Sequence, residues 1–249
     1  MSGHSKWSQI KRKKGVADQQ RGKLFAKLLR YVEVAAREGG GSVEGNATLA
    51  AAVQKARDAS VPVDTIERAI KRGTGELEGA RYEEATYEGF APGGVALLIE
   101  VLTDNRNRSS ADIRHAMTRF GGSLGDPGSV AWMFERRGVV IVDRAAAPDE
   151  ERLLEVVSEA GAEDLNDLGD QWEVVTPPQS LRAVREALEA AGIAVASADL
   201  TMQPQTLVPV ARDQAAGVLR LLEALEDLED VQAVHANFDI PEEVMAEVG

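Results

Sequence analysis

From residue 86 to residue 238, short apolar segments typical of strands alternate with amphipathic segments typical of helices. This alternation predicts small α/β sandwiches of the split βαβ, ferredoxin-like kind. Because the segment is too long for one such unit, we expect two, either consecutive or one inserted in the other. Strands are predicted at residues 86–90, 94–102, 130–134 and 138–143 (a hairpin or two successive strands), 171–176, 194–201, 206–210 and 231–238. Helices are predicted at residues 110–120, capped by Ser109, and at 150–160, 181–191 and 212–228.

Three helices are predicted before this region, and together they would form an N-terminal bundle. In each, apolar residues recur at helical spacing. Asn46 can cap the second helix, and Pro62 ends it. A capping-box-like sequence at 64–67 predicts the start of the third, and Gly73 its end. The predicted helices cover residues 21–38, 47–60 and 64–72, and residues 74–81 are a predicted linker.

Positive charge is concentrated in this N-terminal part. Residues 1–73 hold 15 Lys and Arg against 7 Asp and Glu, a net charge of +8. The rest of the chain holds 13 against 34, a net charge of −21, and it contains no lysine. Such asymmetry indicates a segment that binds a polyanion, and an acidic body would confine the contact to the basic part. The acidic residues between 223 and 230 are expected to form a solvated helix face; alternatively they repel nucleic acid or bind a basic protein.

The cations of the basic part lie in an N-terminal arm and along the first predicted helix. At about 100° per residue, the four helical cations fall within roughly 80° of one another. We call them the basic row and expect them to face solvent, away from the apolar side of the helix. Lys and Arg bind a phosphate backbone without reading sequence. The predicted nucleic-acid contacts are Lys6, Trp7, Lys11, Arg12, Lys13 and Lys14 in the arm and Lys23, Lys27, Arg30 and Arg37 in the basic row.

Several of these assignments have a structural alternative. The cations could be an ordinary solvated face, and Trp7 could pack on the bundle instead of stacking on an unpaired base. Cations on the second and third helices either extend the contact surface or are unrelated surface charge. They are Arg57, Arg68, Lys71 and Arg72.

A second contact is predicted in the loop 103–108, which joins a strand to a helix. Arg106 and Arg108 would lie at the helix N-terminus, beside backbone N–H groups that can bind phosphate. Alternatively, the side chains of Asp104 and Asn105 hold this turn. The Gly-rich segment 121–128 lacks the Lys-Ser/Thr of a phosphate-binding loop, so we expect a structural loop there.

No constellation in the sequence indicates catalysis. The chain has no Cys, and its three His residues have no partners at metal-ligand spacing. We therefore expect no enzymatic activity, no metal and no cofactor. The polar, charged N-terminus is unlike a secretory signal, and no apolar run is long enough to span a membrane. These features predict a soluble, cytoplasmic protein with no membrane partner.

Four stretches of the sequence carry a family resemblance. The N-terminal GHSKWSQIKRKKGVADQQRGKLFAKLLRYVEVAAREGGG resembles the opening of the YebC/PmpR family. The stretches VPVDTIERAIKRGTG, YEGFAPGGVALLIEVLTDNRNRSSADIR and GSLGDPGSVAWMFERRG are also similar to that family, in the same order. The similarity is dense through residue 138 and looser beyond it.

The resemblance implies an α+β fold of three domains: a three-helix bundle and two ferredoxin-like sandwiches, one of them discontinuous. The implied boundaries are 1–79 for the basic domain, 80–129 with 203–249 for the discontinuous domain, and 130–202 for the inserted one. For function, it implies a probable DNA-binding transcription regulator. The alternative is a translation factor on ribosomal RNA, since relatives include a mitochondrial translational activator and members linked to ribosomes stalled on proline-rich sequences. We expect a monomer.

Overall fold

The computed structural model of the protein describes residues 18–147 and 149–248. Its helices are α1 Asp18–Gly39, α2 Ala47–Asp58, α3 Val63–Gly73, α4 Arg106–Arg119, α5 Glu150–Glu159, α6 Leu181–Ala190, α7 Arg212–Glu226 and α8 Glu242–Val248. Its strands are β1 Glu83–Ala91, β2 Val95–Thr103, β3 Ser123–Leu124, β4 Phe134–Asp143, β5 Asp164–Asp167, β6 Gln171–Thr176, β7 Val195–Pro204, β8 Val208–Pro209, β9 Val231–Ala236 and β10 Phe238–Asp239. The fold class is therefore α+β, as predicted.

Helices α1, α2 and α3 form the N-terminal bundle around a core that includes Val32, Leu49 and Ile66. The amide of Asn46 links two of these helices. Its oxygen accepts the N–H of Leu49 at 3.0 Å and so caps α2, as predicted, while its nitrogen donates to the carbonyl of Ala35 in α1 at 2.8 Å. This one buried side chain fixes the angle at which α1 and α2 meet.

The predicted capping box of the third helix is wrong. Pro62 occupies the N-cap of α3 and makes no side-chain cap, so the helix begins at Val63. Asp64 lies in the first turn, where its carboxylate forms an ion pair with Arg68 one turn later. An acidic residue in that turn still interacts favourably with the helix dipole.

The first sheet has the strand order β3-β1-β2-β9, with antiparallel neighbours throughout. Helices α4 and α7 cover one of its faces, and Leu97, Ile99, Ile113, Leu219 and Leu222 are among the residues of that core. The opposite face of β2 is buried as well, with Ala96 and Leu98 in a separate cluster that includes Phe134 at the start of β4. Burial on both faces explains why β2 reads as a continuous apolar run.

The second sheet has the strand order β5-β6-β4-β7. Along the chain, its strands and the two helices that pack on it occur in the order β4-α5-β5-β6-α6-β7. This is the predicted ferredoxin-like arrangement. All four strands precede β9 and follow β3, so the chain completes the second sheet before it returns to the first. The implied boundary between residues 202 and 203 falls inside β7, two residues before its end.

Residues 130–143 contain one long strand, not the predicted hairpin or pair of strands. Residues 131–133 form a 3₁₀ turn, and β4 then runs unbroken from Phe134 to Asp143. Gly138 lies in the middle of this strand and does not turn the chain. A Cβ at Gly138 would lie 2.6 Å from Thr176 Oγ1 and 3.0 Å from the Leu181 Cβ, so glycine is needed there for close packing of α6 on the sheet.

Candidate nucleic-acid interface

The predicted arm contacts Lys6, Trp7, Lys11, Arg12, Lys13 and Lys14 lie outside the described residues. The basic row lies within them, on α1. Periodicity correctly predicts this helix: Leu28, Val32 and Ala35 pack into the bundle, and the four cations fall on another side. The predicted contact of the row with nucleic acid therefore depends on what surrounds these four side chains.

Three of the four cations contact one acidic segment almost 200 residues away. This segment, residues 226–230, is the last residue of α7 and the turn before β9, and we call it the acidic turn. Lys23 Nζ lies 3.6 Å from Asp227 Oδ2, and Lys27 donates to the Glu226 carbonyl. Arg30 donates to the Glu229 carbonyl at 2.9 Å and also pairs with the Glu229 carboxylate.

The expectation that the basic row faces solvent is wrong for Arg30, whose side chain is 11% exposed. In the acidic turn, Asp227 and Glu229 are exposed as expected, but Asp230 is buried. The physical reason lies in the end of α7. The last carbonyls of a helix lack intrahelical partners and carry the negative end of its dipole. Lys27 reaches the carbonyl of Glu226, the last residue of α7, and Lys23 reaches that of Asp227, the next residue. Arg30 instead binds Glu229 and Asp230 beyond the helix, so the two parts of opposite charge are in direct contact.

The fourth cation of the row, Arg37, has a different environment. It donates to Glu33 one turn earlier at 3.2 Å and to the Ala80 carbonyl at 2.8 Å. Glu33 is buried and also accepts from Arg72 of α3 at 3.0 Å. Arg37 and Arg72 thus share one buried carboxylate, which ties α1 to α3 and to the linker.

Asp230 is the central residue of the contact between α1 and the body. Its buried carboxylate accepts from Arg30 at 3.0 Å, Arg108 at 2.8 Å, Ser109 at 2.7 Å and Thr103 at 3.1 Å. Burial alone would raise the pKa of this carboxyl, but hydrogen bonds from Ser109, Arg108 and Thr103 outweigh burial and hold the pKa below its ordinary value. Asp230 is therefore an ionised acceptor that joins the bundle to the first sandwich.

Arg106 and Arg108 do lie at the start of α4, as predicted, but their guanidinium groups have protein partners. Arg106 pairs with Glu83 at 3.0 Å and donates to the Glu84 carbonyl at 3.0 Å. Arg108 binds Asp230 and Asp104, and these hydrogen bonds raise its pKa. The helix N-terminus is capped by Asn105, whose side chain accepts the N–H of Arg108 at 3.1 Å. The alternative interpretation, a turn held by Asp104 and Asn105, describes this geometry.

The predicted cap residue of α4, Ser109, is one turn inside the helix and buried. Its hydroxyl contacts Thr103 Oγ1 at 2.7 Å and Asp230 Oδ2 at 2.7 Å. The predicted start was four residues late because both Asn105 and Ser109 are suitable cap residues, and it is Asn105 that caps the helix.

Of the cations that could extend the contact surface, Arg68 and Arg72 form ion pairs, and Arg57, Arg68 and Lys71 are exposed. Arg68 pairs with Asp64, and Arg72 pairs with Glu33. On α2, Lys55 reaches Asp199 of the second sandwich at 2.8 Å, so the bundle also contacts that unit.

Trp132 is a surface residue that sequence reasoning did not single out. It lies in the 3₁₀ turn before β4 and is 67% exposed, although its side chain is among the most apolar. The indole Nε1 donates to the Ser129 carbonyl at 3.1 Å, which fixes the ring. The sequence did contain a signal for this exposure. Trp132 follows the Gly-rich segment 121–128, and a tight turn after such a segment can present a side chain to solvent.

Glu88 of β1 fixes the backbone beneath Trp132. Its carboxylate accepts the N–H groups of Gly128 at 2.6 Å, Val130 at 2.7 Å and Ala131 at 2.8 Å. Burial acts to raise the pKa of Glu88, but the three backbone hydrogen bonds outweigh it and lower that pKa. The Gly-rich segment is thus part of a structural loop, with its end held by a carboxylate of its own chain.

A basic helical bundle that is attached through ion pairs to two antiparallel α/β sandwiches, the second of them ferredoxin-like, defines a class of three-part α+β proteins. The family model described as "TACO1/YebC protein N-terminal domain" matches residues 5–76, and the model "TACO1/YebC second and third domain" matches residues 82–238. The chain belongs to the TACO1/YebC family.

Relatives in this family match over the full length of the chain. A "probable transcriptional regulatory protein" of Rubrobacter xylanophilus is 59% identical over 100% of this chain and 99% of its own. A protein of the same description from Acidothermus cellulolyticus is 58% identical over 100% of both chains. The crystal structure of a conserved hypothetical protein from Aquifex aeolicus is 46% identical and superimposes with a TM-score of 0.82, covering 90% of this chain and 92% of the other.

Within residues 18–147 and 149–248, no group of three or more His, Asp or Glu residues is arranged to hold a metal ion. Across the same part of the chain, every helix is too short or too polar to cross a membrane.

Proposed function

We propose that this protein is a non-enzymatic regulator that binds nucleic acid through its basic N-terminal part and acts as a DNA-binding transcription regulator. The observation that carries the proposal is the segregation of charge, +8 over residues 1–73 against −21 over the remainder. Cations concentrated on one part of a chain bind phosphate regardless of base sequence. The relatives' description as probable transcriptional regulatory proteins supports regulation as the purpose. A cytoplasmic location stays a prediction.

The contacts within the structure divide the predicted interface into two kinds of residue. Arg30, Arg37 and Arg108 bind buried carboxylates. Moving these arginines onto phosphates would leave Asp230 without a counter-charge and Glu33 with Arg72 alone. Lys23 and Lys27 contact the edge of the acidic turn instead. We therefore assign phosphate binding mainly to the arm cations with Lys23 and Lys27, and positioning of the bundle to the arginines.

A second candidate function, binding of RNA on the ribosome, is favoured by Trp132. An exposed indole on a fixed turn is a surface on which an unpaired base can stack, whereas the bases of duplex DNA are already stacked. The acidic body also makes it awkward to wrap a long duplex, because most of the surface repels phosphate.

Binding to ribosomes and to duplex DNA, measured side by side over a salt series, tests the proposed function. We expect the full-length protein to bind a duplex promoter fragment more tightly than a scrambled duplex of equal length. Co-sedimentation with ribosomes, together with sequence-blind DNA binding that disappears as salt rises, would instead support the second candidate. Failure to bind DNA, RNA or ribosomes at low salt would reject both.

Trp132→Ala should weaken binding to a single-stranded RNA by about 5- to 150-fold, because loss of one base–aromatic stack costs about 1–3 kcal/mol. Trp132→Phe, which keeps an aromatic face, is the matched control and should lose much less. Binding to duplex DNA should be unchanged in both variants. Fluorescence anisotropy with labelled oligonucleotides measures these affinities for the wild type and both variants. Equal affinity of Trp132→Ala and wild type for RNA would show that Trp132 does not belong to the interface.

A further inference from the structure

The acidic turn presents to α1 the kind of surface that a nucleic-acid backbone presents. Four of its five residues are acidic: Glu226, Asp227, Glu229 and Asp230. It also directs the main-chain carbonyls of residues 226, 227 and 229 at the lysines and arginine of the basic row. Closely spaced anionic and carbonyl oxygens are the acceptors that Lys and Arg would otherwise find on phosphates.

The contacts of the acidic turn differ in how readily they can separate. The ion pair between Asp230 and Arg30 is buried, so breaking it would expose two charges that have lost their partners. In contrast, both partners of the ion pair between Lys23 and Asp227 are about half exposed. Exposed pairs of this kind contribute only about 0.2–1 kcal/mol each and weaken as salt rises.

A polyanion can therefore displace the outer part of the turn while the Asp230 cluster keeps the bundle attached. Lys23 and Lys27 lie toward the N-terminal end of α1, next to the chain that leads back to the arm cations, whereas Arg30 lies toward its middle. A phosphate backbone that follows the arm onto α1 would meet Lys23 and Lys27 before it reached the buried pair.

From these contacts we infer that the acidic turn is an intramolecular competitor of nucleic acid for Lys23 and Lys27, and thus lowers the affinity of the basic row. This inference rests on the proposed function, because it concerns regulation of the same surface. The acidic body thereby has a role of its own, since it suppresses weak, sequence-blind binding to the basic row. Only a ligand that the arm cations also bind displaces the acidic turn.

The test is the full-length variant Asp227→Asn, which removes the exposed carboxylate beside Lys23 and leaves the carboxylates of Glu229 and Asp230 with Arg30. Its affinity for a 20-base-pair duplex DNA and for a single-stranded RNA of equal length should rise by about 1.4- to 5-fold, the equivalent of one exposed ion pair. The gain should shrink as salt rises. Unfolding midpoints of variant and wild type should agree, which shows that the fold is retained.

Two controls separate competition from a general change of charge. Glu155→Gln changes the net charge by the same amount at an exposed position of α5, in the other sandwich, and should tighten binding much less. In a chain that carries Lys23→Gln, the Asp227→Asn change should give no gain, because the cation that it releases is absent.

The outcomes distinguish this inference from the proposed function. If wild type binds and the acidic-turn variant binds no more tightly than the α5 control, the competition is refuted while nucleic-acid binding stands. If the gain persists in the chain without Lys23, the acidic turn acts through its general electrostatic field and the inference is also overturned. If the wild type and all variants bind neither the duplex DNA nor the single-stranded RNA, the proposed function itself fails.

Discussion

Replacing Asp230 by Asn is expected to lower the free energy of unfolding by about 3 kcal/mol, near the lower end of the cost of removing one partner from a buried ion pair. The substitution preserves the shape of the side chain but removes its charge. Arg30, which is almost fully buried, would lose its buried counter-ion, and the carboxamide could accept fewer of the hydrogen bonds from Arg108, Ser109 and Thr103. Urea denaturation followed by circular dichroism measures the change.

Glu229→Gln is the matched control for this prediction, since it also removes a carboxylate that pairs with Arg30, but an exposed one. Its effect should be less than about 1 kcal/mol. Equal effects of Asp230→Asn and Glu229→Gln would mean that the hydrogen-bonded cluster around Asp230 does not hold the bundle to the body.

The second large effect is expected from the arm. Changing Lys6, Lys11, Arg12, Lys13 and Lys14 together to Gln should make the dependence of binding on salt less steep by about 4.5 in log–log slope, if each cation neutralises one phosphate of duplex DNA. Affinity at low salt should fall by more than 100-fold for the same reason, at about 1 kcal/mol for each lost contact. Filter binding at salt concentrations from 50 to 200 mM measures both the affinity and its salt dependence.

An equal loss of charge elsewhere provides the comparison for the arm variant. Five exposed arginines of the body can be changed to Gln with the same effect on net charge: Arg114, Arg119, Arg152, Arg182 and Arg220. This body variant should keep most of the wild-type salt slope. Parallel slopes for the two variants would falsify the assignment of phosphate binding to the arm.

Local spacing was sufficient to predict most of the helices and strands but not what they contact. The period of α1 separates its apolar residues from Lys23, Lys27 and Arg30, because a helix face is defined by residues within a few turns. The partners of these cations, Asp227 and Asp230, follow about 200 residues later. No local pattern links the two segments, so the sequence alone predicted a solvated helix face at the acidic turn.

The elements that sequence reasoning missed are short or depend on tertiary contacts. Strand β5 has four residues, two of them Asp, and its register is set by pairing with β6 rather than by its own β-propensity. Helix α8 has seven residues and packs Val244 and Met245 into the core of the first sandwich. Such short helices are marginal alone and form because the core receives their apolar side.

The path of the chain through the two sheets also sets an order of events during synthesis. Val101 of β2 pairs with Val231 of β9, 130 residues later, and the second sheet is encoded between them. At about 5–20 residues per second, a ribosome needs roughly 6–26 s to make that interval. For this time the first sheet lacks its last strand and α1 lacks the acidic turn. The newborn chain therefore carries an uncovered basic helix while it is still attached to the ribosome, a particle rich in RNA, and synthesis of the acidic turn ends that exposure.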